Sequence, residues 1–359
     1  MKPSYKNILV IKMSALGDII HALPTLHALR TLYPEARISW LVEPQFAAVL
    51  PDAPYIDEKI VFHKNTLKKQ GFFQKLKHLR TLGKSLKSRH FDLVIDLQGL
   101  AKSSLIALLS GCKNRIGYCE MREGSAFISR PISGPHAKGH IVERYLDVAR
   151  YLGATVEKGV FPLPPDFDET SVNTLLAEGA IDGPYAVLFP GAGWLTKEWA
   201  LDRYAQLAER LINEGIHVVV SGGPPDREKG EKIKDRVNSD RLLDIVGRTD
   251  ILDIFTLTRK ALFCVGGDTG PLHMADAVGT PTVSLFGPSS WERAHPYGDL
   301  NTVIRTTAAC SPCFKRKCPK TFVCMDSITV DDVFEACRKH LQPGSRPARQ
   351  TTASPTSQA

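Results

Sequence analysis

The residues best suited to chemistry sit in three short loops of the C-terminal half and in one loop near the N-terminus. The run Gly266-Gly267-Asp268-Thr269-Gly270-Pro271-Leu272-His273 follows an apolar stretch with strand character and opens one with helical character. Its glycines let a ligand approach the backbone closely, and Pro271 suits the first turn of a helix. The free N–H groups at Thr269 and Gly270 then present the positive end of a helix dipole, which is a site for a diphosphate. His273, one turn further on, is positioned to face the same ligand. Asp268 would repel a phosphate and suits sugar hydroxyls better. Taken alone, the same loop also fits a glycine-rich turn with Asp268 as a helix cap.

Two further loops leave strand-like runs in the same half. Pro190–Trp199 offers Gly191, Ala192, Gly193, Thr196 and Lys197. Lys197 is suited to neutralise charge on a departing diphosphate, an electrostatic role that a metal plays elsewhere; the alternative is a surface lysine beside a packed tryptophan. Ser221–Asp226, with Gly223 and Asp226, is suited to cradle a nucleoside. Three such loops at successive strand ends are a much stronger signal than any one. In the N-terminal half, Ser14-Ala15-Leu16-Gly17-Asp18 ends the first strand-like run. A helix N-terminus there keeps Asp18 ionised, so it can take a proton from an attacking hydroxyl, although taken alone the residue fits a plain helix cap better. Asp96, at another strand end, reads as structural or as acting from behind the site.

The segment from Lys64 to Arg89 holds nine Lys and Arg and no acidic residue. Phe72, Phe73, Leu76, Leu79, Leu82 and Leu86 recur there at near-helical spacing, which predicts a basic amphipathic helix or helix pair. Such a face suits an anionic membrane or an acidic substrate, with Lys64, Lys68 and Lys69 as candidate contacts; a merely solvated basic face is the other reading. Cys310, Cys313, Cys318 and Cys324 have the spacing C-x2-C-x4-C-x5-C, compatible with a structural zinc, with buried free thiols or with a labile disulfide. No catalytic metal is expected. The dinucleotide fingerprint, the P-loop, HExxH and GxSxG are all absent, and no nucleic-acid-binding motif is present.

Strand and helix alternate along the chain to position these loops. Apolar runs at 6–13, 37–43, 91–98, 185–189, 216–220, 261–267 and 280–286 predict strands, with helices between them. Pro162, Pro164 and Pro165 mark a linker. We expect an α/β protein of the GT-B type, two doubly wound Rossmann-like domains facing across a cleft. Residues 1–160 would form the first domain and 161–328 the second; 329–342 would form a last helix and 343–359 a disordered tail. No internal sequence repeat stands out. The net charge of +8 favours an anionic partner. The N-terminus is a poor signal peptide, which predicts a cytoplasmic protein.

The blocks KMSALGDIIHALPTLHALR, VIDLQGLAKS, FPGAGWLTKEW and VGGDTGPLHMADAVGTPTVSLFGP resemble glycosyltransferase family 9, the lipopolysaccharide heptosyltransferases, over residues 6–340. WLVEPQFAAVL and VIDLQGLAKS are closest to heptosyltransferase I; the cysteine cluster is more similar to heptosyltransferase II. The resemblance implies inverting, metal-independent transfer of L-glycero-D-manno-heptose from ADP-heptose to a Kdo sugar on lipid A, or to the first heptose. It implies Asp18 as general base, Lys197 against the donor phosphates and Asp268, Thr269, Gly270 and His273 around the donor, where the reading of the loops also places Gly191, Ala192, Gly193, Thr196, Gly223 and Asp226. Ser14, Gly17 and Arg122 would lie on the acceptor side. It also implies that the last helix crosses back to the N-terminal domain, and that the protein sits peripherally on the cytoplasmic face of the inner membrane. Two other classes compete: a nucleotide-sugar epimerase, which leaves the basic segment without a role, and a non-catalytic basic binding protein, which leaves the strand-end loops without one.

Overall fold

A computed structural model describes residues 4–64, 71–164, 167–319, 321 and 323–341. The chain divides into two units, with the boundary between residues 165 and 166. The first contains β1 (Asn7–Ile11), β2 (Arg37–Val42), β3 (Glu58–Val61), β4 (Leu93–Asp96), β5 (Arg115–Gly117) and β6 (Arg130–Pro131). They form one sheet in the order β3-β2-β1-β4-β5-β6, and every pair is parallel. Ile8, Leu9, Val10 and Ile11 are fully buried. That is why the central strand reads as an unbroken apolar run: helices cover both faces of a parallel sheet.

The second unit contains β7 (Tyr185–Phe189), β8 (His217–Val220), β9 (Leu242–Asp244), β10 (Phe263–Gly267), β11 (Thr282–Phe286) and β12 (Asn301–Arg305). Its order is β12-β11-β10-β7-β8-β9, again all parallel. Numbered from its own first strand, each sheet reads 3-2-1-4-5-6. The two halves therefore repeat one topology although no repeat is visible in the sequence. In such a sheet the direction of winding reverses between strands 1 and 4, and ligands bind beyond the carboxyl ends at that point. The reversal lies between β1 and β4 in one unit, and between β7 and β10 in the other.

Helices supply the rest of each core. The helix Ile141–Leu152 ends on Gly153 at φ 111°, a left-handed position that costs glycine nothing. The basic segment forms the helix Phe72–Lys87. Leu82 and Leu86 pack into the core of the first unit, whereas Phe72 and Phe73 stand 74% and 83% exposed, so the apolar stripe is buried only at its C-terminal end.

The last helix, Val330–Arg338, corrects an expectation. Thr329 caps it by accepting the Asp332 N–H. It does not leave for the first unit: Val333, Ala336 and Cys337 are buried in the core of the second, among Trp199, Tyr204 and Leu207. Arg210 fixes it from the helix Leu201–Asn213, through Asp331 at 2.6 Å and the Phe334 ring at 5.3 Å. Its periodicity was legible, but the surface that would take its apolar face was not. Residues 342–359, assigned to the end of that helix and to a tail, lie outside the described residues.

Candidate active site

In the second unit, the loops after β7, β8 and β10 line a cavity of ≈ 260 Å³ with Gly191, Ala192, Gly193, Gly223, Asp226 and Thr269 among its walls. Close approach of backbone is built in. A Cβ on Gly191 would overlap the Asp226 carboxylate, and one on Gly267 would lie 2.7 Å from the Lys197 carbonyl. Asp226 is held there by Lys229 at 2.8 Å. Lys229 also pairs with Glu198, whose Oε1 accepts the Ala192 N–H at 3.4 Å. The β8 loop is thus tied to the β7 loop by charge.

Thr269 is the N-cap of the helix Gly270–Ala277, with Pro271 in its first turn. The half-buried helix N-terminus therefore opens on the cavity, whose walls include Thr269 and Pro271, as an anion site requires. Asp268, just before it, is almost enclosed. Its Oδ2 lies 2.6 Å from Lys197 Nζ, and its Oδ1 lies 3.4 Å from His273 Nε2. Burial alone would push this carboxyl up; the His273 hydrogen bond and the Lys197 charge outweigh it and hold Asp268 well below the usual carboxylate range. Asp268 stays ionised, with its charge offset locally. Lys197 also rests over the Trp194 ring, 4.5 Å from its centroid.

Two expected donor contacts fall elsewhere. Thr196 is only 2% exposed, and its hydroxyl donates to the Lys315 carbonyl at 2.9 Å. It belongs to the wall of a second cavity, of ≈ 190 Å³, which Cys310, Cys313, Cys318 and Cys324 also line. Leu195–Lys197 is one turn of 3-10 helix, so neighbouring side chains point about 120° apart; with Lys197 toward Asp268, Thr196 turns inward. His273 is 3% exposed and sits behind Asp268 rather than beside Thr269. Among the described residues, no group of three or more His, Cys, Asp or Glu side chains is arranged to hold a metal ion.

In the first unit, Ser14, Gly17 and Asp18 follow β1, and the helix Leu16–Leu32 begins there. Asp18 occupies its first turn and accepts the Ala15 N–H at 3.3 Å. Its Oδ2 lies 3.8 Å from the ammonium of Lys12. Lys12, 2% exposed, donates to the Leu97 carbonyl at 3.1 Å and to the Tyr145 hydroxyl at 2.8 Å. Gln98 holds the loop from the other side: its Oε1 accepts the N–H groups of Met13 and Ser14 at 3.0 and 3.2 Å. Asp96 holds Gln98 in turn, accepting its N–H at 3.0 Å, the Gly99 N–H and the hydroxyls of Ser103 and Ser104. Every oxygen of Asp96 is committed, in keeping with its reading as structural.

Sequence reasoning missed Lys12, Gln98 and Tyr145. A charge directly after a fully apolar strand was the available signal for Lys12. Arg122 is exposed, and its N–H donates to the Gly99 carbonyl at 2.8 Å, which brings it to the β4 loop. Lys64 is paired with the buried Glu43 at 3.0 Å. Lys68 and Lys69 lie outside the described residues.

A family model described as glycosyltransferase family 9 (heptosyltransferase) matches residues 79–323. Lipopolysaccharide heptosyltransferase 1 of Pseudomonas aeruginosa is 31% identical over 320 residues, which cover 87% of this chain and 87% of that protein. Lipopolysaccharide heptosyltransferase 2 of Salmonella typhimurium is 29% identical over 310 residues, covering 83% and 87%. The solved structure of the ADP-heptose heptosyltransferase II of E. coli matches with a TM-score of 0.74 at 26% identity, over 93% of this chain and 98% of that one. The paired six-stranded parallel sheets are those of the GT-B fold.

Proposed function

The chain belongs to glycosyltransferase family 9, the heptosyltransferase family, and from that membership we propose that it transfers L-glycero-D-manno-heptose from ADP-heptose to the Kdo inner core of lipopolysaccharide. The observation that carries the reading is the convergence at one cavity of three strand-end loops and a helix N-terminus, with the Lys197–Asp268 pair directly before that N-terminus. Glycine backbone around the cavity takes the nucleotide. The helix N-terminus at Thr269 takes the diphosphate, and Asp268 takes sugar hydroxyls.

The acceptor hydroxyl attacks the anomeric carbon in line with the departing ADP, which inverts the configuration. Asp18 accepts the proton, with the ammonium of Lys12 standing 3.8 Å from its carboxylate. Lys197 and the Thr269 N-terminus meet the negative charge that grows on the diphosphate, a stabilisation realised in the transition state. Transfer therefore needs no metal in this reading. Ser14, Gly17 and Arg122 serve the acceptor. The helix Phe72–Lys87, with its basic side chains and exposed Phe72 and Phe73, supports peripheral contact with the cytoplasmic face of the inner membrane. No helix among the described residues is long and apolar enough to cross a membrane.

The test is mass-spectrometric detection of heptose transfer from ADP-heptose, with chelator present. One heptose added to Kdo-capped lipid A is the expected product. Transfer only onto an acceptor that already carries one heptose would move the reading to heptosyltransferase II, which the 29% and 26% identities to such enzymes keep in view. No transfer to either acceptor would overturn the substrate assignment.

A further inference from the structure

The charge balance at the donor cavity leaves a gap that a residue outside the three loops can fill. Lys197 is already paired with Asp268 at 2.6 Å, so the two together carry little net charge. A diphosphate that gains charge as it departs needs a cation that is not neutralised in advance.

One such cation stands on the same indole. The guanidinium of Arg316 lies 5.0 Å from the centroid of the Trp194 ring that also carries Lys197. Among the described residues, Arg316 has no carboxylate within salt-bridge distance, and its side chain is exposed. Two cations gathered at one aromatic ring repel each other, and the arrangement is favourable when an anion lies between or beside them. Arginine is also the side chain whose planar fork best fits two phosphate oxygens.

The segment that carries Arg316 is built to hold it there. It follows β12, whose carboxyl end lies on the same edge of the parallel sheet as those of β7 and β10. The N–H groups of Cys313 and Phe314 donate to the Pro288 carbonyl at 3.0 and 2.8 Å. Phe314 sits at φ 53°, a left-handed conformation that is costly for a bulky residue and persists where the surroundings enforce it. Directly after that turn, the Lys315 carbonyl takes the Thr196 hydroxyl, and Arg316 reaches Trp194. Trp194 caps the Lys197 turn and Thr196 lies within it, so the cysteine-lined segment is fastened to that turn at two points.

We propose that Arg316 is a second diphosphate-binding residue, delivered to the donor cavity by the cysteine-lined segment and acting beside Lys197. This rests on the donor assignment proposed above. The test is calorimetric titration of the full chain with ADP, AMP and adenosine, for the unaltered protein, Arg316→Gln and Arg316→Lys, at two salt concentrations. A charge-assisted phosphate contact predicts roughly tenfold weaker ADP binding by Arg316→Gln, a shallower salt dependence, and unchanged adenosine binding. Arg316→Lys, which keeps the charge but not the planar fork, should bind ADP more tightly than Arg316→Gln and more weakly than the unaltered protein. Equal loss for ADP and adenosine would mean that Arg316 only braces the loop. ADP binding by Arg316→Gln as tight as that of the unaltered protein would also overturn the proposal. If the unaltered protein preferred neither ADP nor AMP over adenosine, the donor reading itself would fail and this proposal with it.

Discussion

Replacing Lys197 by methionine separates its two roles, because its partner can be neutralised independently. The Lys197–Asp268 pair is close, at 2.6 Å, with side chains only 16% and 13% exposed. Removing the lysine strands an ionised carboxylate with His273 alone. Breaking a buried pair from one side costs about 3–5 kcal/mol, and the residual exposure argues for the lower end, about 3 kcal/mol. For a domain of this size that lowers the thermal midpoint by roughly 6–12 °C. Neutralising the partner as well, in Lys197→Met with Asp268→Asn, removes the stranded charge and should return stability to within about 1 kcal/mol of the starting protein. Turnover should behave differently. Loss of a preorganised group facing developing charge costs about a hundred- to a thousandfold in kcat, and the second substitution does nothing to restore it. The two measurements are urea unfolding followed by circular dichroism, and single-turnover release of ADP. Recovery of kcat along with stability in the double variant would refute the reasoning, since Lys197 would then be a strut for Asp268 rather than a partner of the diphosphate.

Two other outcomes follow from the same geometry. Asp18→Asn should lower kcat by roughly a hundred- to ten-thousandfold while leaving ADP affinity unchanged in calorimetry; collapse of ADP binding would instead make Asp18 a donor ligand or a structural cap. Burial pushes the Asp276 carboxyl up to about 6, despite its bonds to the Gly298 N–H at 2.9 and 3.1 Å, so the folded state binds its proton more tightly than the unfolded chain. Its contribution is then present below about pH 4 and lost as pH rises to about 6, by roughly 3 kcal/mol. Asp276→Asn should remove that loss, and a stability difference between the two proteins that stays flat across this window would contradict it.

The parts of this fold that announce themselves in the sequence are those buried on two sides. β1, β4, β7, β10 and β11 are apolar runs because helices cover both sheet faces, and the loops that follow four of them carry candidate site residues or their supports. The outer strands were not legible: β5, β6 and β9 have two or three residues each, too few to show any period. Loop position was legible where loop direction was not. Thr196 and Lys197 are adjacent in sequence, yet a 3-10 turn sends one to the Lys315 carbonyl and the other to Asp268. The support beneath Asp18 was equally hidden, because Lys12, Gln98 and Tyr145 come from three separate elements that only the sheet order brings together.

That hidden support has a common logic. In each unit the proposed site residues sit where strands 1 and 4 of one topology lie side by side, and the loop after strand 4 buttresses the loop after strand 1. Gln98 does this for Ser14 in the first unit, and Asp268 does it for Lys197 in the second. The crossing is a neutral amide against backbone N–H groups in one case and a charged pair in the other. In the first unit Gln98 holds the loop that carries the proposed base by its backbone. A cation that meets phosphate must already be aimed, so it is held by its side chain. One architecture used twice thus carries, under the proposed function, a different task in each half, with side chains spanning the reversal point in both.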